Sequence, residues 1–338
     1  MGESEQKFSP VSAGAVPLIE LWRGDILESS HLGHAVVMRD SGEVVEAWGQ
    51  PAALIYPRSS CKMVQALPLL ESGAGAGLGA EHLALACASH QGGAAHAGRV
   101  ERWLDDLGLG ESDLRCGPQE PQDRDERDRL ICAHEQPCQL HNNCSGKHAG
   151  FLMLGQHLRA GAEYVEPEHP VQISVRSAFE EVTGMTSPGY GIDGCSAPNF
   201  ATTVAALANA MAQFAGAQAD DARSQAMIRL REAMMAHPDL VAGEGRACTE
   251  LMRACGGRAA LKTGAEAVFV AILPQARLGI ALKITDGGVR AAEAAITALL
   301  IRHGALDPNH PAAARFLGPI LNRRDIVTGE TRTAQGFI

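Results

Sequence analysis

Strand-forming segments lie at both ends of this 338-residue chain, and a long stretch with helical periodicity separates them. Apolar, strand-like runs are found at 16–22, 34–38, 44–48, 259–263, 267–273 and 278–284. Asp40-Ser41-Gly42-Glu43 is typical of a hairpin turn. This order predicts an α+β fold, in which strands from the two ends form one antiparallel sheet covered by helices, beside a large, mostly helical lobe.

The same pattern gives the expected domain organisation. We predict that residues 1–13 are disordered and that residues 14–338 form a single domain with two lobes. The sheet lobe is expected to combine 14–57 with 258–305, and the helical lobe to span 58–257. The polar stretch 114–135 is expected to be a loop or a solvated face.

Charge and cysteine content narrow the class of protein. The formal net charge of −10 disfavours nucleic acid and anionic membranes as partners, and no apolar run reaches the length of a membrane span. Nine cysteines, an odd number, stand in a chain whose N-terminus lacks the basic-then-apolar pattern of a secretory signal. We therefore expect a cytoplasmic protein with free thiols or metal ligands that acts on a small molecule.

Two short motifs point to the chemistry. Ser59-Ser60-Cys61-Lys62 is an S-x-x-K element at the start of the helical part, and Lys262-Thr263-Gly264 is a K-T-G element on the first returning strand. In S-x-x-K the lysine lies one helical turn after the serine, where its amine can reach the hydroxyl. Either element alone is weak, because S-x-x-K is often a helix cap with a solvated lysine. Together, in this order and placement, they indicate a serine hydrolase that attacks amide carbonyls.

Cys144 and Cys195 leave two interpretations open at this point. Two thiolates can bind zinc, but the cysteines are far apart in the sequence and no C-x-x-C spacing is present. Two buried structural cysteines are the alternative.

Five segments together resemble the rhizobial-type L-asparaginases, the asparaginase II or class 3 family. They are Pro57–Lys62, Ala86–His90, His141–Gly150, Asp193–Cys195 and Lys262–Glu266. The similarity runs from about residue 15 to residue 325, and the His141–Gly150 block is its most specific part. The resemblance implies a fold similar to that of serine β-lactamases and glutaminases, hydrolysis of L-asparagine to L-aspartate and ammonia, and a homodimer.

The resemblance also implies catalytic roles. Ser59 matches the nucleophile and is paired with Lys62, while Ser89 and Lys262 match a second serine–lysine pair. We expect Lys62, held neutral by a positive Lys262, to take the proton of Ser59. The Ser89–Lys262 pair is then expected to help relay a proton to the leaving ammonia.

Further residues match a metal site and substrate contacts. The implied zinc ligands are Cys144, Lys147 and Cys195, with water as the fourth ligand and His148 as a neighbour. The implied substrate-binding residues are Arg58, His90, Asp193 and Thr263. His90 could line the pocket or cap its helix, and Thr263 could bind a substrate carboxylate or simply suit an edge strand. The family often has Ser-His-Ser-Gly-Glu where this chain has Gln91 and Gly93, which affects local substrate contacts.

Two other functional classes stay open. A glutaminase or a penicillin-recognising hydrolase would use the same chemistry, although the absence of a secretory signal counts against the latter. A non-catalytic zinc-binding or interaction protein is the third class, and the intact serine–lysine pairs count against it.

Overall fold

A computed structural model describes residues 10–338. Most of the predicted disorder at 1–13 therefore lies outside the described residues. Residues 10–13 begin a turn, in which the Ala13 N–H donates to the Pro10 carbonyl at 2.8 Å.

Strands from both ends of the chain form one eight-stranded antiparallel sheet. Residues 10–338 contain twelve strands, which in chain order are Val16–Arg23 (β1), Ile26–Arg39 (β2), Val44–Trp48 (β3), Leu54–Ile55 (β4), Tyr190–Ile192 (β5), Pro198–Phe200 (β6), Thr202–Thr203 (β7), Ala260–Gly264 (β8), Val268–Leu273 (β9), Leu278–Ile284 (β10), Pro319–Leu321 (β11) and Val327–Thr333 (β12). Four of them form two small separate sheets, β4 with β7 and β5 with β6. The sheet order is β11-β12-β1-β2-β10-β9-β8, and β3 also pairs with β2. The prediction of one antiparallel sheet is confirmed, and the strand that carries K-T-G lies at its edge.

Helices fill the segment between the two groups of strands and then follow β10. They are Lys62–Gln65 (α1), Leu67–Glu71 (α2), Ala80–Ala86 (α3), Ala94–Asp106 (α4), Arg124–Ala133 (α5), Ser145–His157 (α6), Pro170–Thr183 (α7), Val204–Gly216 (α8), Ala222–Ala236 (α9), Pro238–Val241 (α10), Ala247–Cys255 (α11), Val289–Arg302 (α12) and Pro311–Phe316 (α13). Short 3₁₀ turns span Arg58–Cys61, Glu111–Asp113, Gln139–His141 and Ala265–Ala267. Within residues 10–338, no helix combines the length and the apolar character needed to cross a membrane.

The centre of the sheet is fully covered. Every residue of β9 and β10 is buried, so both faces of these strands are in the core, as their continuous apolar sequences predict. Helices α8 and α12 both pack against β9 and β10. At Gly279 of β10 a Cβ would come 2.0 Å from the Ala212 backbone nitrogen. Glycine there lets α8 lie directly on the sheet.

Helix α8 begins at Val204, because Thr203 caps it by accepting the Ala206 N–H at 3.1 Å, and short strands precede it. The polar stretch 114–135 agrees with the expectation of a loop or a solvated face, and its second half is a solvated helix capped by Asp123. One sequence-based expectation needs correction. The sheet extends beyond residue 305, because β12 pairs with β1. Its sequence, Val-Thr-Gly-Glu-Thr-Arg-Thr, has little apolar content, so its strand conformation depends on that pairing.

Candidate active site

The edge strand of the sheet lies against the turn that carries Ser59. Residues 58–61 form a 3₁₀ turn that leads directly into α1. At Gly264, the glycine of K-T-G, a Cβ would come 2.6 Å from the Pro57 carbonyl oxygen and 3.0 Å from the Ser60 nitrogen. The absence of a side chain at this glycine is therefore what allows β8 to approach the serine turn so closely.

Two buried lysine amines converge on Ser89. The Nζ of Lys62 lies 3.0 Å from Ser89 Oγ, and the Nζ of Lys262 lies 2.9 Å from the same oxygen. Both lysine side chains are almost completely buried. A buried amine must find hydrogen-bond partners, because leaving it unpaired costs several kcal/mol. Lys62 meets this need with Ser89, with Cys144 Sγ at 3.0 Å and with the Ala88 carbonyl oxygen.

This arrangement corrects the expected pairing of Ser59 with Lys62. Within residues 10–338, Ser59 Oγ has no hydrogen-bond partner, and the amine of Lys62 is directed to Ser89 instead. The physical reason is the set of acceptors around the amine, which come from the end of α3 and the start of α6. The predicted neighbours Ser89 and Lys262, by contrast, are in direct contact.

Lys262 has the ionisation behaviour of a base near neutral pH. Burial, reinforced by the nearby charge of Lys62, lowers the pKa of Lys262 to about 7. The amine is therefore largely neutral above that pH and can accept the Ser89 hydroxyl proton. This differs from the expectation of a positive Lys262, because the amine of Lys262 loses its proton near neutral pH.

Ser59, Ser89 and Thr263 open into the same cavity. Its volume is about 210 Å³, below the range of drug-sized ligand pockets, which suits a small substrate. Three larger clefts, of about 450, 460 and 300 Å³, lie elsewhere and contain none of the predicted site residues. The serines and Thr263 therefore identify the candidate active site.

Several polar residues of this cavity were missed by the sequence reasoning. Gln122, Asn143, Arg246 and Glu293 also line it. Asn143 lies inside the His141–Gly150 block, so that motif could have indicated it. Arg246 and Glu293 lie outside every motif, and only the fold brings their elements, α11 and α12, to the cavity.

Two of the predicted substrate contacts are directed elsewhere. Arg58 Nη2 and Nε donate to Asp193 Oδ1 at 2.8 and 3.1 Å, and neither residue lines the cavity. Arg58 also adopts a left-handed backbone conformation, with φ 52°, at the start of the serine turn. The Arg58–Asp193 ion pair thus connects this turn to the segment that carries Cys195.

His90 does not reach the cavity either. Its ring is buried, its Nε2 lies 3.0 Å from Ser145 Oγ, and its Nδ1 accepts the Gly92 N–H at 3.1 Å. Burial, with smaller contributions from His96 and Lys62, holds the pKa of His90 well below its usual range. His90 is therefore a neutral residue that supports the loop after Ser89, which corrects its assignment as a substrate contact.

The three predicted zinc ligands lie together beside this site. Cys144, Lys147 and Cys195 are all buried, and Lys147 Nζ lies 3.1 Å from Cys195 Sγ. The neighbouring Cys144 thiol, opposed by burial and supported by Lys147, lowers the pKa of Cys195 well below its usual range. The Nε2 of His148 is buried without a hydrogen-bond partner in residues 10–338. The two cysteine sulfurs fit the ligand preferences of zinc.

A metal here would need the lysine. Across residues 10–338, no three or more His, Cys, Asp or Glu side chains are grouped so that they could hold a metal ion. Any metal at Cys144 and Cys195 would therefore recruit Lys147 or a non-protein ligand to complete its coordination.

Comparison with known proteins agrees with this chemistry. A site built from serines and buried lysines, in a cleft between a sheet edge and helices, defines a class of amide hydrolase. The chain matches the L-asparaginase II family over residues 19–333. It therefore belongs to that family and is a hydrolase acting on amides. A search of curated proteins found no sequence match.

Solved structures with a similar fold are distant in sequence. Mglu in its native form is 14% identical with a TM-score of 0.45, and the match covers 83% of this chain and 66% of Mglu. A β-lactamase from Mycobacterium bovis is 14% identical with a TM-score of 0.44, covering 80% of this chain and 94% of the other. A putative β-lactamase from Bacteroides dorei is 12% identical with a TM-score of 0.41, covering 79% and 93%.

Proposed function

We propose that this protein hydrolyses L-asparagine to L-aspartate and ammonia, with Ser59 as the nucleophile. One observation carries the proposal: Ser89, in the cavity that it shares with Ser59, contacts two buried lysine amines. One of these amines, that of Lys262, has a pKa of about 7. A hydroxyl and a neutral amine in a small cavity are the components of covalent amide hydrolysis.

The backbone at Ser59 supports its role as nucleophile. The N–H of Arg58 donates to Asn199 Oδ1, and that of Ser60 donates to the Pro57 carbonyl. The N–H of Ser59 has no partner in residues 10–338, as is usual in the first turn of a helix. When Ser59 Oγ attacks the side-chain amide carbon, this N–H can hold the resulting oxyanion.

Ser89 and the lysines would move protons in this scheme. The hydroxyl proton of Ser59 leaves as the Oγ–carbon bond forms, and it passes through the Ser89 cluster towards the neutral amine of Lys262. The carbon–nitrogen bond then breaks, and ammonia leaves with a proton from the same cluster. Water adds to the acyl-enzyme, releases L-aspartate and restores the Ser59 hydroxyl. Hydrogen bonds between catalytic groups often tighten only when substrate binds. The lack of a hydrogen-bond partner for Ser59 Oγ within residues 10–338 is therefore compatible with this mechanism.

Ser89 is the second candidate nucleophile, because its hydroxyl contacts Lys262 directly, whereas the Ser59 hydroxyl makes no such contact within residues 10–338. Rapid quenching during turnover, followed by peptide mass spectrometry, would place the acyl group on the peptide of Ser59 or on that of Ser89. We expect the acyl group on the Ser59 peptide. Turnover should fall by at least about 10²-fold in both Ser59→Ala and Ser89→Ala. The control variant Ser112→Ala, which changes an exposed serine, should keep the wild-type turnover. An acyl group on the Ser89 peptide would make Ser89 the nucleophile and Ser59 a member of the proton relay.

The substrate class needs a direct comparison. Ammonia release from L-asparagine and L-glutamine, and hydrolysis of a chromogenic cephalosporin, would be measured in parallel with zinc-supplemented protein. We expect L-asparagine to be turned over fastest. A preference for L-glutamine or the cephalosporin would favour the glutaminase or penicillin-recognising alternative. No turnover of any of the three would favour a non-catalytic zinc-binding protein.

Zinc is part of the proposal, held by Cys144, Lys147 and Cys195. When bound, it would supply a Lewis-acidic centre beside the serines that can hold a polar group of the substrate. Burial alone lowers the pKa of Lys147, but Cys195 and Cys144 outweigh it and raise that pKa above its usual value. The amine therefore carries a proton when no metal is bound and must lose it to become a ligand.

Assembly and location complete the proposal: we expect a cytoplasmic homodimer. Exposed apolar side chains at one end of the sheet support a subunit contact there. They are Ile26, Leu27, Leu321, Ile326 and Val327. The first two lie on β2, and the others lie on or between β11 and β12.

A further inference from the structure

Glu293 is an acidic residue on the wall of the active-site cavity that the scheme above does not use. It lies on α12, one turn after Val289, which also lines the cavity. Within residues 10–338, its carboxylate has neither a hydrogen-bond partner nor an ion-pair partner, although the side chain is only partly exposed. Burial raises its pKa, and the charges of Arg246 and Arg315 oppose that effect. A carboxylate in this position is costly to desolvate unless a cation joins it.

Arg246 supplies the opposite charge to the same cavity. It caps the start of α11, and its Nη1 donates to Gln122 Oε1, which also lines the cavity. Across residues 10–338, Arg246 makes no salt bridge of its own, so it is not within 4.0 Å of Glu293. Within residues 10–338, two opposite charges therefore line one cavity of about 210 Å³ without forming a direct ion pair.

A zwitterion would satisfy both groups. An α-amino acid amide carries an ammonium and a carboxylate on one carbon, together with a reactive amide at the end of the side chain. We propose that Glu293 binds the α-ammonium group and Arg246 the α-carboxylate group of the substrate, so that the site selects α-amino acid amides. This inference rests on the proposed amide hydrolysis and adds the residues that recognise the substrate.

The test uses two substrates that each lack one charge of L-asparagine. Succinamic acid has the carboxylate but no ammonium, and β-alaninamide has the ammonium but no α-carboxylate. We expect Glu293→Gln to lower kcat/KM about 10- to 100-fold for L-asparagine and β-alaninamide, and less than about 3-fold for succinamic acid. Arg246→Gln should give the complementary pattern, with losses for L-asparagine and succinamic acid only.

Glu250→Gln is the matched control. Glu250 lies near Arg315, as Glu293 does, but it is not part of the cavity wall. It should leave all three rates unchanged. Equal losses on all three substrates for Glu293→Gln, or no loss at all, would overturn the inference.

Binding measurements distinguish a failure of this inference from a failure of the proposed function. The affinities of L-aspartate and succinate would be measured by calorimetry with wild-type protein and both variants, after circular dichroism has confirmed folding. If the wild type releases no ammonia but its preference for L-aspartate over succinate is lost in Glu293→Gln, the proposed function fails and the recognition role stands. If asparagine is hydrolysed and that preference is unchanged in Glu293→Gln, the recognition role fails alone.

Discussion

Lys262 combines complete burial with contact to a serine hydroxyl. Its amine donates to or accepts from Ser89 Oγ at 2.9 Å and donates to the Thr263 carbonyl at 2.9 Å. Because burial and the charge of Lys62 favour its neutral form, the free energy needed to remove its proton near neutral pH is small. At the scale of single residues, this amine is what makes the serine cluster reactive.

A pH profile tests this role. Since the base must be neutral, kcat/KM for L-asparagine should rise as the pH increases through about 7, following the pKa of Lys262 in the free enzyme. Lys262→Arg keeps a charge that cannot be removed, so its residual activity should be low and lack this rise. A rise through pH 7 that is unchanged in Lys262→Arg would assign the titration to another group.

Not all of these contacts could be predicted from the sequence. The resemblance placed Ser89 beside Lys262, and the structure brings them together. The direction of the Lys62 amine could not be predicted, because its acceptors come from segments 26 or more residues away. Nor did any motif indicate Glu293, whose position depends on how α12 packs.

At the scale of elements, the contact between β8 and the serine turn sets the shape of the site. The sequence predicted both elements, since K-T-G and S-x-x-K mark them. It could not predict the distance between them, which depends on Gly264 lying against Pro57 and Ser60. The buried strands β9 and β10 were predictable from their apolar runs, whereas β12 was not, because its pairing with β1 supplies its stability.

Replacing Gly264 with alanine tests this contact. The new Cβ would lie 2.6 Å from a backbone oxygen, so the strand must move away from the turn. We expect a loss of about 1–3 kcal/mol in the free energy of unfolding. Because small displacements of reacting groups are costly, kcat/KM should also fall about 10²-fold. Urea unfolding and steady-state kinetics would measure the two effects.

Gly161→Ala provides the control for that experiment. A Cβ at Gly161 would meet nothing within 4 Å, and its backbone is not left-handed. This variant should keep the activity and the stability of the wild type. If Gly264→Ala behaves like Gly161→Ala, the close approach of β8 is not what shapes the site.

At the scale of the whole molecule, several buried histidines couple stability to pH. Burial is the largest cause that lowers the pKa of the buried His90, His96 and His148, and of the partly buried His303, below 6.5. Folding therefore disfavours protonation of these rings, while the unfolded chain binds protons as the pH falls through 6.5. The unfolded state then holds more protons than the native state, so acid favours unfolding.

The expected result is a free energy of unfolding that decreases from pH 7 to pH 5. Most carboxylates contribute little in this window, because their ordinary pKa values lie below it. Glu293, whose pKa burial raises, acts in the opposite direction to the histidines. Urea unfolding at pH 7, 6 and 5 would measure the slope, and His90→Asn should reduce it because one buried proton acceptor is removed. His157→Gln, which changes an exposed histidine on α6, should leave the slope as it is. If the free energy of unfolding of the wild type does not vary with pH, the histidine rings are solvated or protonated in the folded protein. The compact packing around Ser89 and His90 would then be contradicted.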